Sequence, residues 1–129
     1  LIIDTAVFAY VFGAFTGVTV IFQLALALGA PWGEWAMGGK FPGRFPLKMR
    51  VAAAVQMLLL IFLALIVMVR AEALFADYLS ISRSAIWFVV ALFVVSSILN
   101  IITPSKKERM LWAPITIILL ICSLIVATS

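Results

Sequence analysis

The chain has 129 residues, 67% of them hydrophobic, with nine Lys and Arg against five Asp and Glu and no His. A mean hydropathy of +1.31 excludes a soluble globular domain, and the length holds one helical bundle with no separate aqueous domain. Without imidazole, His-ligated haem, a His-bound zinc and a His general acid or base are all excluded.

Four apolar runs, 2–28, 51–69, 85–102 and 111–127, dominate the sequence. A membrane-spanning helix needs roughly 20 mostly apolar residues, so the expected fold is all-α: an integral membrane four-helix bundle, up-down-up-down and antiparallel, in a single domain. The first run is too long for the apolar core of a signal peptide, and Asp4 stands where such a signal would be basic. It therefore reads as a mature span. Thr5, Ala9, Gly13, Thr16, Val20 and Gln23 recur along it at helical spacing and share one face. Gly13 and Gly17 form a G-x-x-x-G pair, which suits close helix packing or an oligomer interface.

Loop 1 follows, reading GAPWGEWAMGGKFPGRFPL from Gly29 to Leu47. Its five Gly and three Pro block a regular helix. Trp32, Trp35, Phe41 and Phe45 interleave with Lys40, Arg44 and Lys48, a composition suited to the headgroup region. The expectation is an interfacial anchor, or a lid over one end of the bundle formed by Trp32, Trp35 and Arg44 together with Trp112. The second run opens with Lys48 and Arg50. Loop 2, residues 70–84, is short and mixed in charge, with Phe75 and Tyr78 at the membrane edge and Ser82 a candidate N-cap for the third span. Asp4 has Arg70 or Arg83 as a possible partner. The third span ends at Thr103-Pro104-Ser105, and Trp112 and Pro114 mark the start of the fourth.

The basic residues are unevenly placed. Seven of the nine lie in or beside loop 1 and loop 3, residues 103–110, and only Arg70 and Arg83 lie on the other side. Positive loops stay cytoplasmic, which assigns loops 1 and 3 to the cytoplasm and both termini to the outside of a plasma (inner) membrane. The same charges suit an anionic leaflet, and nucleic acid is not an expected partner.

Four uncharged polar side chains fall at a common depth. Gln23, Gln56, Asn100 and Thr116 each lie four to six residues inside the loop 1 and loop 3 end of their spans, or roughly 6–9 Å at 1.5 Å per residue. An amide facing lipid leaves its hydrogen-bonding groups unsatisfied at a cost of a few kcal/mol, so all four should face inward. The candidate ligand-binding cluster is Gln23, Gln56, Ser96, Asn100 and Thr116, with Arg50 nearby to reach a lipid phosphate or an anionic ligand. The alternative is structural, with the amides holding helices together.

No acidic residue lies near the middle of a span, which weakens any proton-coupled pump. Cys122 is solitary and the five Met are scattered, so neither a disulfide nor a metal site nor a cofactor is expected. Glu34 and Glu108 are the only conceivable acids for an enzyme, which makes a non-enzyme the expectation.

Gly29-Ala30-Pro31-Trp32-Gly33, Pro42-Gly43-Arg44-Phe45-Pro46 with Arg50, and Glu108-Arg109-x-x-Trp112-x-Pro114 resemble a pattern from small four-helix bacterial membrane proteins of no assigned function. That resemblance implies a fold and a bacterial membrane, and no chemistry. It also singles out Gln23, Trp32, Gly33, Arg44, Pro46, Arg50, Glu108, Arg109 and Trp112. Small multidrug-resistance transporters and fluoride channels fit poorly, because the first needs a carboxylate within the first span and the second a Gly-rich motif followed by Arg. Two functional expectations follow. One is a non-enzymatic protein that binds a lipid or small molecule or serves as an accessory subunit of a larger membrane complex. The other is a homo-oligomeric channel or transporter.

Overall fold

The computed structural model describes residues 5–71 and 76–129. Asp4 and Phe75, named above, lie outside the described residues. Four helices account for most of the chain: α1 (Thr5–Ala27), α2 (Leu47–Arg70), α3 (Leu79–Ile102) and α4 (Lys106–Thr128). Each has 23 or 24 residues and is long and apolar enough to cross a membrane. At 1.5 Å per residue each is about 35 Å long, more than the roughly 30 Å hydrocarbon core. The chain is an all-α, multi-pass membrane bundle.

Three helices begin before their apolar runs. α2 starts at Leu47, α3 at Leu79 and α4 at Lys106. Apolar runs report where a helix meets hydrocarbon, whereas Lys48, Arg50 and Lys106 to Arg109 continue the helix into the headgroup layer. As a result Ser82 does not cap α3. It sits one turn inside, its hydroxyl donating to Leu79 O at 2.7 Å. The side-chain cap belongs to Ser105, whose Oγ accepts from Glu108 N at 3.2 Å at the start of α4.

Packing is uneven along the bundle axis. The main core joins Ala9 and Phe12 of α1, Leu63 and Val67 of α2, Ile86, Val89 and Phe93 of α3, and Leu119, Cys122 and Val126 of α4. Phe12 meets Phe93 edge to face at 5.4 Å. All of this lies toward loop 2. At the loop 1 end the core shrinks to Leu26, Phe45 and Ala53. Along α2 burial concentrates from Leu60 onward, and along α3 it stops at Ser97. The two helices are therefore closely packed beside loop 2 and separate toward loop 1. Their outward residues, among them Val55, Leu58, Phe88 and Val95, are exposed, as lipid-facing residues should be.

Gly13 and Gly17 do not serve internal packing. A Cβ placed on either would meet no heavy atom within 4 Å, so the pair faces outward. The core contacts of α1 are made instead by Phe12 and its neighbours. Phe12→Ala should lower stability to unfolding in detergent by about 3–5 kcal/mol. Gly13→Ala and Gly17→Ala should not destabilise it, and through helix propensity should raise it by up to about 1 kcal/mol each. The opposite ranking would mean that the glycine face carries the fold.

Candidate functional site

Loop 1 is a structured roof. Gly33–Trp35 and Met37–Gly39 each form one 3-10 turn. Gly33 donates to Gly43 O at 2.8 Å, closing the loop on itself. A Cβ at Gly33 would lie 1.8 Å from Phe41 O, so only glycine permits this approach. Met37, Gly38 and Gly39 follow one another with φ of 53°, 68° and 75°. For Met37 this left-handed conformation is unfavourable, and it needs outside support to persist.

That support comes from the start of α4. Gly38 N donates to Glu108 Oε2 at 2.7 Å, and Thr103 Oγ1 donates to the same oxygen at 3.3 Å. Ser105 Oγ donates to Glu34 O at 2.9 Å. Trp112 Nε1 donates to Trp35 O at 2.8 Å. Lys107 Nζ pairs with Glu34 Oε1 at 2.5 Å, but both side chains are about half exposed, so this pair adds little. Arg44 lies against Gly29, within 2.7 Å of where its Cβ would stand. Trp32 is exposed and stacks on Phe22, which in turn meets Trp112 edge to face at 4.7 Å. Trp112 itself is buried, so it anchors the roof from beneath instead of lying at the membrane interface.

Under this roof lies a cavity of about 760 Å³, a size typical of small-molecule sites. Ala36, Met37, Gly38 and Phe41 cover it, and Leu60, Phe93 and Leu119 of the main core form its floor. Gln23, Gln56, Ser96, Asn100 and Thr116 all line it. Helix rise alone predicts this gathering, because residues at equal depth on four adjacent helices meet at one level.

The side chains differ in what they are free to do. Gln23 is 8% exposed, lines the cavity and makes no hydrogen bond among the described residues. Its amide has no protein partner among the described residues and opens onto the cavity. Asn100 Nδ2 donates to Ser96 O at 2.7 Å, leaving the amide oxygen free. The Thr116 hydroxyl donates to Trp112 O at 2.8 Å, leaving its lone pairs.

Two sequence expectations need correction. Gln56 lines the cavity with the others but is exposed instead of buried. It stands at the cavity's edge together with Leu99 and Ile102 of α3. Being both exposed and on the wall, these residues mark where the cavity reaches the outer face of the bundle between α2 and α3. Arg50 is not on the cavity wall. Its Nε donates to Ala27 O at 2.9 Å, satisfying a carbonyl at the end of α1 that helix geometry leaves without a partner. Phe22 and Thr103, both on the wall, carried no sequence signal. Glu108 did: Ser105-x-x-Glu108 is the spacing of a capping box. Here the backbone half forms, while the carboxylate reaches across to loop 1.

Compared with protein-family models, curated proteins and solved structures, the chain matches none. The reading of the site therefore rests on its geometry.

Removing the Glu108 carboxylate takes away a charge-assisted bond of about 1.5–3 kcal/mol. Glu108→Ala should speed trypsin cleavage after Lys40 and Arg44 about tenfold, and Glu108→Gln, which keeps an acceptor oxygen, should do so less. Unchanged cleavage in both variants would show that loop 1 holds its shape without α4.

Proposed function

We propose that this chain is a non-enzymatic membrane protein that binds an amphipathic molecule, a lipid or a small membrane-soluble compound, in the cavity beneath loop 1. The observation that carries the reading is the Gln23 amide, on a largely buried residue, open to the cavity and without a protein partner among the described residues. A polar ligand group or an ordered water would engage its two donors and its acceptor.

The rest of the site agrees with this reading. Polar side chains gather at one level, apolar side chains line the rest of the wall, and the mouth opens sideways between α2 and α3. An amphiphile can then slide in from the leaflet with its head under the roof and its tail in lipid. The positive charge of loops 1 and 3 supports placing this end in the cytoplasmic leaflet of a bacterial inner membrane. A permeation path through one bundle is disfavoured, because the packed core beside loop 2 closes the cavity floor. The outward Gly13 and Gly17 leave room for a second reading, a homo-oligomer or larger membrane complex with a path between subunits.

Native mass spectrometry of the full chain, released gently from its own membranes, tests both. The wild type should carry an amphiphile adduct, and Gln23→Leu should lose it while melting within a few degrees of wild type. A bare wild-type monomer, or an adduct indifferent to Gln23→Leu, contradicts cavity binding. A bare homo-oligomer favours the second reading.

A further inference from the structure

The charges around the cavity restrict what it can accept. Resting on the binding reading above, we propose that the ligand is a neutral lipid whose head carries hydroxyl and carbonyl groups and no phosphate; a diacylglycerol is the simplest example.

Among the described residues the nearby cations stand off the cavity wall or at its exposed rim. Arg50 serves Ala27 O, and Arg109 donates to Thr103 O at 3.1 Å. Lys107 pairs with Glu34 and lies 5.5 Å over the Trp35 ring. Arg44 packs on Gly29. Lys48 and Lys106 are exposed and do not reach the wall. Lys40 alone touches the cavity, from the exposed rim of the roof. The other ionisable residue on the wall, among the described residues, is Glu108, half-buried and acidic. A phosphate drawn under the roof would lose its water, meet no buried cation and approach a carboxylate. Burying an unpaired charge is far more costly than burying a hydrogen-bonded neutral group.

The neutral groups present match such a head. Gln23 and Gln56 each offer two donors and an acceptor, both unengaged. Asn100 keeps a free amide oxygen, Thr116 keeps acceptor lone pairs, and the Ser96 hydroxyl is uncommitted. A glycerol hydroxyl and two ester carbonyls would use donors and acceptors together. The apolar remainder, Phe22, Phe41, Met49, Phe93 and Leu99, suits the first methylenes of the chains. The rest of each tail would leave through the mouth between α2 and α3.

Dioleoylglycerol and dioleoylphosphatidic acid share their chains and backbone and differ by one phosphate. Offered in equal amounts to the delipidated full chain in detergent, they should separate in native mass spectra. The expected result is about tenfold preference for dioleoylglycerol, lost in Gln23→Leu and in Gln56→Leu, and unchanged in Lys40→Gln. The Gln56 variant guards against a folding defect, since that residue is exposed at the mouth. Equal or greater retention of phosphatidic acid, sensitive to Gln23 or to Lys40, overturns the neutral-head assignment while leaving cavity binding intact. Retention of neither lipid by the wild type overturns both.

Discussion

The bond from the Gly38 amide to the Glu108 carboxylate, joined by Trp112 to Trp35 and Ser105 to Glu34, is the interaction on which the hollow half of the molecule depends. An irregular loop at the membrane edge carries backbone groups that hydrocarbon cannot satisfy. Loop 1 satisfies them partly within itself and partly on the first turns of α4. With that roof held in place, α1 and α4 are fixed at this end, and α2 and α3 need not meet beneath it. Packing is thus concentrated beside loop 2, where Phe12, Phe93 and Val67 interlock, and space is left beside loop 1.

The arrangement joins stability and function by dividing them between the two halves of the bundle. A fully packed bundle of this size would be more stable and would bind nothing. Here the half beside loop 2 supplies dispersion contacts, while the other half sets polar side chains around a void. The Gln23 amide, without a protein partner among the described residues, is a feature that a well-packed core would avoid. Such departures from local consistency tend to mark functional positions. On the proposed reading, the lateral opening gives the same logic a direction, because a ligand dissolved in the leaflet would reach the site without crossing water.

Much of this was legible in the residues. Four apolar runs required four spans, and the 1.5 Å helix rise set Gln23, Gln56, Asn100 and Thr116 at one depth. What the sequence left open were the relations set by tertiary packing. The G-x-x-x-G pair matches a packing motif, yet its face looks outward because the bundle interior is filled by Phe12 on another face of α1. Arg50 reads as a phosphate ligand by depth, but its Nε donates to the carbonyl of Ala27 at the end of α1. Gln56 faces the mouth because α2 and α3 diverge, and no local pattern encodes that divergence. Glu108 and Gly38 stand 70 residues apart, beyond the reach of spacing rules, although the Ser105-x-x-Glu108 signature marks where the partner would be.

The central claim is that an amphiphile occupies the space under loop 1 with its tail between α2 and α3. Photo-crosslinking in lipid nanodiscs with a diacylglycerol carrying a diazirine on its acyl chain tests it most directly. The account predicts labelling concentrated on peptides covering residues 52–60 of α2 and 96–102 of α3, and suppressed by excess unlabelled dioleoylglycerol. Labelling spread evenly over the outward faces, including Val18 and Ile21 of α1 and unaffected by competitor, would contradict it.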